Sequence, residues 1–248
     1  MKLLIDLGNT RLKWAAWHAG EWLGEGSQVL QDEPVERIVE WLRAAPEPRE
    51  IWIASVAAGE RAQRVAEACE RAFGLVPRRA VTTAEACGVR CAYAEPARLG
   101  VDRWLAVIGA YSAARRPAVI FDCGTAITVD AVTATGGHLG GLIIPGIGLM
   151  RQALFSATAG IPREDEGDVG LLARDTRSAV SGGTLYAAVA FVQHVAGELR
   201  AALGADTRFI ITGGDAERLR PLLQGDFETR PQLVLEGLLA VSGEAGCE

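Results

Sequence analysis

Leu3-Leu4-Ile5-Asp6-Leu7-Gly8-Asn9 and, 116 positions later, Val119-Ile120-Phe121-Asp122-Cys123-Gly124-Thr125 repeat one pattern: three apolar residues, an aspartate, any residue and a glycine. Each copy reads as a buried strand running into a glycine turn, and the first resumes an extended pattern at Arg11–Trp17, so each opens a strand–turn–strand unit. A pattern that recurs nearly half a chain apart predicts two similar halves, residues 1–116 and 117–248. Between and after the copies, helical spacing appears at 34–45, 60–73, 103–115, about 148–157, about 176–201 and 233–242. Short apolar strands are expected at Ile51–Val56 and Arg208–Ile211. Strands alternating with helices indicate an α/β fold in which sheets are flanked by helices. A charged loop is expected at 162–169.

Composition bounds the function. The 248 residues carry 25 Lys+Arg against 31 Asp+Glu, a net charge of −6, and no run of five basic residues. A general nucleic-acid binder is therefore not expected, because phosphate-backbone binding needs a clustered positive surface. Five of the six tryptophans fall within the first 52 residues with no basic patch among them, which favours core and interface over a base-stacking platform. The five cysteines form no C-x-x-C pair and read as reduced thiols of a cytoplasmic protein. Asp6 follows only three consecutive apolar residues, and the apolar stretch 139–150 is broken by four glycines and a proline. Neither a signal peptide nor a membrane span is expected. The 29 glycines exceed the roughly 17 that an average of about 7% would give, which points to turns where backbone approaches something closely.

An aspartate at a strand end beside a glycine turn sets a carboxylate among backbone N–H groups, a combination that can hold phosphate oxygens and orient a hydrated Mg²⁺. One Asp-x-Gly alone reads first as an ordinary hairpin turn, because Asp and Gly suit that geometry. Two copies after matching apolar runs, one with Lys13 on the outgoing strand, favour phosphate chemistry, for which Lys13 supplies a compact positive charge. Thr212-Gly213-Gly214 after a strand is a third such turn, where glycines let a planar ring or a phosphate lie against the backbone. Gly100-Val101-Asp102-Arg103 precedes a helix, so Asp102 is either an N-cap or a general base with Arg103 clamping an anionic group. His18, His138 and His194 are isolated in sequence and are assigned to packing or surface.

Taken together these motifs resemble the type III pantothenate kinases of the acetate and sugar kinase/heat-shock chaperone/actin superfamily. The matching pieces are Asp6-Leu7-Gly8-Asn9-Thr10 with Lys13, and Tyr93-x-x-Pro96-x-x-Leu99-Gly100-x-Asp102-Arg103. They continue with Asp122-x-Gly124-Thr125-Ala126-x-Thr128-x-Asp130, Gly140-Gly141-x-Ile143-x-Pro145-Gly146, Thr176-x-x-Ala179-x-x-Gly182 and Thr212-Gly213-Gly214. The resemblance implies two actin-like (ribonuclease H-like) halves, each a mixed β-sheet flanked by helices, with a nucleotide cleft between them. It implies that Asp6, Leu7, Gly8, Asn9, Thr10, Arg11, Leu12 and Lys13 cradle the ATP phosphates, that Thr125 touches the nucleotide, and that Thr212, Gly213 and Gly214 lie near adenosine. Asp122 looks like a site for a monovalent cation, K⁺ or NH₄⁺, used alongside Mg²⁺.

Pantothenate would be held by Tyr93, Gly100, Val101, Asp102 and Arg103, with Thr176 contributed by the partner in a homodimer. Thr184 is a rival for that contact. Asp102 looks like the base for the pantothenate hydroxyl, in the first step of coenzyme A biosynthesis. Two other readings share the fold: another small-molecule kinase of the superfamily, and a non-enzymatic accessory or regulatory protein. Arg11 and Cys123 depart from the residues common in the family at their positions.

Overall fold

The computed structural model describes residues 1–29, 33–56, 60–158, 161 and 167–243. Most of the charged loop expected at 162–169 lies outside the described residues. By contacts the chain divides into a first unit, Met1–Arg115 with Thr135–His138 and Gln232–Glu248, and a second, Arg116–Ala134 with Leu139–Pro231.

In the first unit, β1 (Lys2–Leu7), β2 (Arg11–His18), β3 (Glu21–Val29), β4 (Glu50–Ser55) and the two-residue β5 (Arg78–Arg79) form one sheet in the order β3-β2-β1-β4-β5. β1 is antiparallel to β2 and parallel to β4. Period-two alternation sorts β1 into two faces. Leu3, Ile5 and Leu7 pack against α1 (Val35–Leu42) and α2 (Glu60–Phe73) in a core that also takes Leu12, Trp14, Ile51, Ile53, Val65 and Cys69. Lys2, Leu4 and Asp6 share the opposite face, where Lys2 donates to the Ser242 carbonyl at 2.5 Å. A small hairpin, β6 (Glu85–Ala86) with β7 (Val89–Arg90), precedes α3 (Val101–Ser112).

The second unit repeats this plan. β8 (Ala118–Cys123), β9 (Ala126–Val132), β10 (His138–Pro145), β11 (Arg208–Thr212) and β12 (Glu228–Thr229) lie in the order β10-β9-β8-β11-β12, with β8 antiparallel to β9 and parallel to β11. Val119, Phe121 and Cys123 pack under the long helix α5 (Thr176–Leu203) with Leu185, Ala188 and Val192, as Leu3, Ile5 and Leu7 pack under α1 and α2. α4 (Ile147–Ala157) and the short α6 (Ala216–Leu219) complete the unit. Both sheets are thus mixed, helix-flanked and alike in strand order, as the sequence repeat predicts. One helix, α5, is long and apolar enough to cross a membrane, with a mean hydropathy of 1.2 over its most apolar window. Half of that window is buried, the pattern of a core helix.

A division after residue 116 follows the sequence repeat, but packing sends the last helix, α7 (Leu233–Val241), back to the first unit. Two glycines allow it. A Cβ on Gly109 of α3 would stand 2.5 Å from the Leu233 carbonyl oxygen, and one on Gly237 of α7 would overlap the Leu105 carbonyl. The backbones of α3 and α7 therefore meet directly, closer than any side chain permits.

Candidate active site

The two glycine turns close alike but not identically. Asp6 lies across from Lys13 on β2, and Asp122 across from Thr128 on β9. Gly8 N–H donates to the Arg11 carbonyl at 2.9 Å, whereas Gly124 N–H donates to the Ala126 carbonyl at 3.0 Å, so the second turn is one residue shorter. Directly opposed residues on antiparallel strands share a face, which places the Asp6 carboxylate and the Lys13 ammonium side by side. Leu7 and Leu12 are fully buried and can offer a ligand only their backbone, while Asn9, Thr10 and Arg11 are exposed at the turn. Arg61 of α2 donates to the Asn9 carbonyl and brings a second cation to this corner. Nothing in the sequence near Arg61 singles it out, because α2 reaches the turn only through the folded sheet.

Gly100 is the N-cap of α3, so Asp102 is not the cap; it occupies the second helical position, half-buried, and its Oδ1 accepts the Arg103 N–H at 2.8 Å. A Cβ on Gly100 would stand 2.6 Å from that Oδ1, so the glycine makes room for the carboxylate. The same Cβ would be 3.8 Å from Val56, the residue after β4. β4 runs parallel beside β1, and the Asp6 turn and the start of α3 therefore lie at the same carboxyl edge of the first sheet, the usual place for ligands in such sheets. Arg103 is buried, and its Nη1 donates to the Tyr93 hydroxyl at 3.1 Å with the guanidinium carbon 6.0 Å from the ring centroid.

In the second unit the Thr212–Gly214 turn is built onto the Asp122 turn. Thr212 pairs with Asp122, and Asp215 N–H donates to the Cys123 carbonyl at 2.9 Å. Gly213 has φ +93°, and a Cβ there would lie 2.5 Å from Asp122 Oδ1 and would collide with the Cys123 carbonyl. Gly213→Ala should therefore cost about 1–3 kcal/mol from its left-handed backbone and the clash. Urea unfolding checks this, and an unchanged midpoint would mean that the turn tolerates a side chain. Gly214 faces open space. Gly146 N–H donates to the Thr125 carbonyl at 3.0 Å, tying the glycine-proline motif to the exposed Thr125. Cys123 is buried beneath this corner; burial, then the charges of Asp122 and Asp215, hold its thiol protonated, so it offers no nucleophile. Burial likewise pushes the Cys69 thiol up to about 12. Cys69, Cys91 and Cys123 are free thiols as expected, whereas Cys87 is in a disulfide.

Thr176 is exposed in the first turn of α5, where Asp175 caps the helix by accepting the Ser178 N–H at 2.9 Å. Thr184 is buried, its hydroxyl donating to the Val180 carbonyl and accepting from Arg151 Nε at 3.1 Å. Thr176 also lines a groove of about 1040 Å³ between α4 and α5, with Pro145, Met150, Leu154 and Val180.

A sequence model described as type III pantothenate kinase matches residues 2–198. The type III pantothenate kinase of Nitrosococcus oceani is 36% identical over 98% of this chain and 94% of its own length. That of Halorhodospira halophila is 39% identical over 96% of each. The chain belongs to the type III pantothenate kinase family. Among solved structures, a conserved Campylobacter jejuni protein assigned to the Baf family of transcriptional activators superposes with a TM-score of 0.60 over 96% of each chain, at 19% identity. That likeness establishes the shared fold.

No group of three or more His, Cys, Asp or Glu side chains suited to a metal occurs among the described residues. The Asp6 carboxylate, beside its glycine turn and across from Lys13, suits an Mg²⁺ ion that arrives on nucleotide phosphates and takes one or two carboxylates. Asp122, an oxygen donor beside two backbone turns, suits a hard monovalent cation in the same way.

Proposed function

We propose that this chain phosphorylates the primary hydroxyl of pantothenate with ATP and that Asp102 is its general base. What carries the reading is the placement of the Asp102 carboxylate at the start of α3, beside the Arg103–Tyr93 pair and at the same sheet edge as the Asp6–Lys13 turn. In this reaction Asp102 accepts the hydroxyl proton as the hydroxyl oxygen bonds to the γ-phosphorus. The bond from that phosphorus to the bridging oxygen breaks, and ADP leaves. Arg103 and Tyr93 orient pantothenate. The turn from Asp6 to Lys13 holds the phosphates through backbone N–H groups and the Lys13 charge, and Thr125, Gly213 and Gly214 take the nucleoside side. Positioning and charge stabilisation are what phosphoryl transfer chiefly demands. Mg²⁺ with the phosphates and K⁺ or NH₄⁺ at Asp122 would offset negative charge on the transferred group.

We assign the two actin-like halves to residues 1–116 and 117–248, and the enzyme to the cytoplasm as a homodimer in which the partner's copy of Thr176 completes the pantothenate site. Exposure of Thr176 favours it over its rival, the buried Thr184. The dimer draws support from the exposed apolar side chains of Leu139 and Ile143, which share one face of β10, and of Leu149 and Leu154 on α4.

An ADP-release assay with pantothenate, sugars and acetate, each with and without K⁺, tests the reaction. Turnover that requires pantothenate and rises with K⁺ is expected. Turnover with a sugar or acetate instead, or none at saturating ATP and Mg²⁺, would overturn it.

A further inference from the structure

His138 looks unremarkable in sequence, yet it is 5% exposed and lies against the proposed pantothenate contact. Its ring runs nearly parallel to that of Tyr93, 12° apart with centroids at 6.3 Å. Its Nδ1 accepts the Ala92 N–H, the backbone donor just before Tyr93, at 3.4 Å. The Tyr93 hydroxyl meanwhile accepts from Arg103. Tyr93 is thus held by its ring face, by the backbone of the preceding Ala92 and by its hydroxyl.

The chain fixes His138 with unusual backbone economy. Thr135–His138 packs with the first unit, Arg90 N–H donates to the Gly136 carbonyl at 2.9 Å, and Arg90 bridges Gly137. Gly136 has φ +78°, and a Cβ there would overlap the Gly88 carbonyl. Only glycine permits this approach, and it sets the imidazole two residues later.

We propose that His138 is a positioning residue of the pantothenate site: its imidazole fixes the plane and backbone of Tyr93, so that Tyr93 and Arg103 present one preformed surface to the substrate. The inference rests on the reading that Tyr93 touches pantothenate. A residue acting through Tyr93 changes substrate binding more than chemistry, whereas a purely structural residue changes stability alone.

Steady-state kinetics on His138→Ala, Tyr93→Ala and the double variant, with thermal unfolding of each, separate the cases. His138→Ala should raise KM for pantothenate by about 3–10-fold, the worth of an aromatic contact, with kcat and KM for ATP little changed. The double variant should be no worse than Tyr93→Ala. His138→Phe keeps a ring face and His138→Asn keeps an acceptor near Nδ1, so each should recover part of the KM loss, and they carry the test if His138→Ala does not fold. A raised KM in Tyr93→Ala with a normal KM in every His138 variant would overturn the positioning role, as would additive losses in the double variant. A normal KM in Tyr93→Ala would instead overturn the reading of Tyr93.

Discussion

Asp102→Asn is expected to lower kcat by about 10²–10⁴-fold while KM for ATP changes little, the usual span for losing a general base. The substitution suits the question because it removes so little else. Asparagine keeps the side-chain length and an Oδ1 that can still accept the Arg103 N–H, the bond that Asp102 makes at 2.8 Å. The space beside Gly100 fits the same planar group. The start of α3, the buried Arg103 and its bond to Tyr93 should therefore persist, leaving proton acceptance as what is lost. Single-turnover measurement with bound ATP and pantothenate reads the chemical step directly. Near-normal turnover would remove Asp102 from the reaction and leave it as a determinant of the helix start.

The largest stability effect is expected at a residue far from any proposed ligand. Gly237→Val should destabilise the protein by about 3–5 kcal/mol, at the exceptional end for single substitutions. The obstacle is backbone, not a side chain that could rotate aside: any Cβ at Gly237 overlaps the Leu105 carbonyl, and Gly109 meets the Leu233 carbonyl from the other side. The helices would have to separate along the whole contact, opening voids around Trp104, Leu105, Ile108, Leu235 and Leu238, all nearly fully buried. Against a typical stability of about 5–15 kcal/mol this loss is large enough to read in denaturant unfolding. A change below about 1 kcal/mol, the ordinary cost of a mild substitution, would show that α3 and α7 can part without penalty.

Much of this organisation is legible in the sequence because it is written in local patterns. The two apolar runs with their Asp-x-Gly ends fix β1 and β8, and alternation along them already separates Asp6 and Asp122 from the core-facing residues. What could not be read depends on partners distant in the chain. β3 carries Gly24 and Gly26 at positions that alternation would fill with apolar side chains, because Trp14 of β2 covers them: a Cβ on Gly26 would stand 2.6 Å from Trp14 Nε1. The surplus glycine divides likewise. Gly100, Gly146 and Gly213 do stand at the proposed ligand turns, but Gly26, Gly109, Gly136 and Gly237 serve close packing. His138 reads as an isolated packing or surface residue because its partner, Tyr93, is 45 positions away. The position of Asp102 at the second helical residue, not the cap, depends on where α3 starts, and a sequence motif gives that only to within a residue or two.

The return of α7 to the first unit also bears on how the protein is made. Leu105 and Gly237 meet across more than half of the 248 residues, so the helix that carries Asp102 gains this cover only after α7 has left the ribosome. Until then one face of α3 is bare and the sheet edge beside Asp102 lacks that support. A nascent chain can assemble the first β-sheet early, but the start of α3 cannot settle before α7 is made.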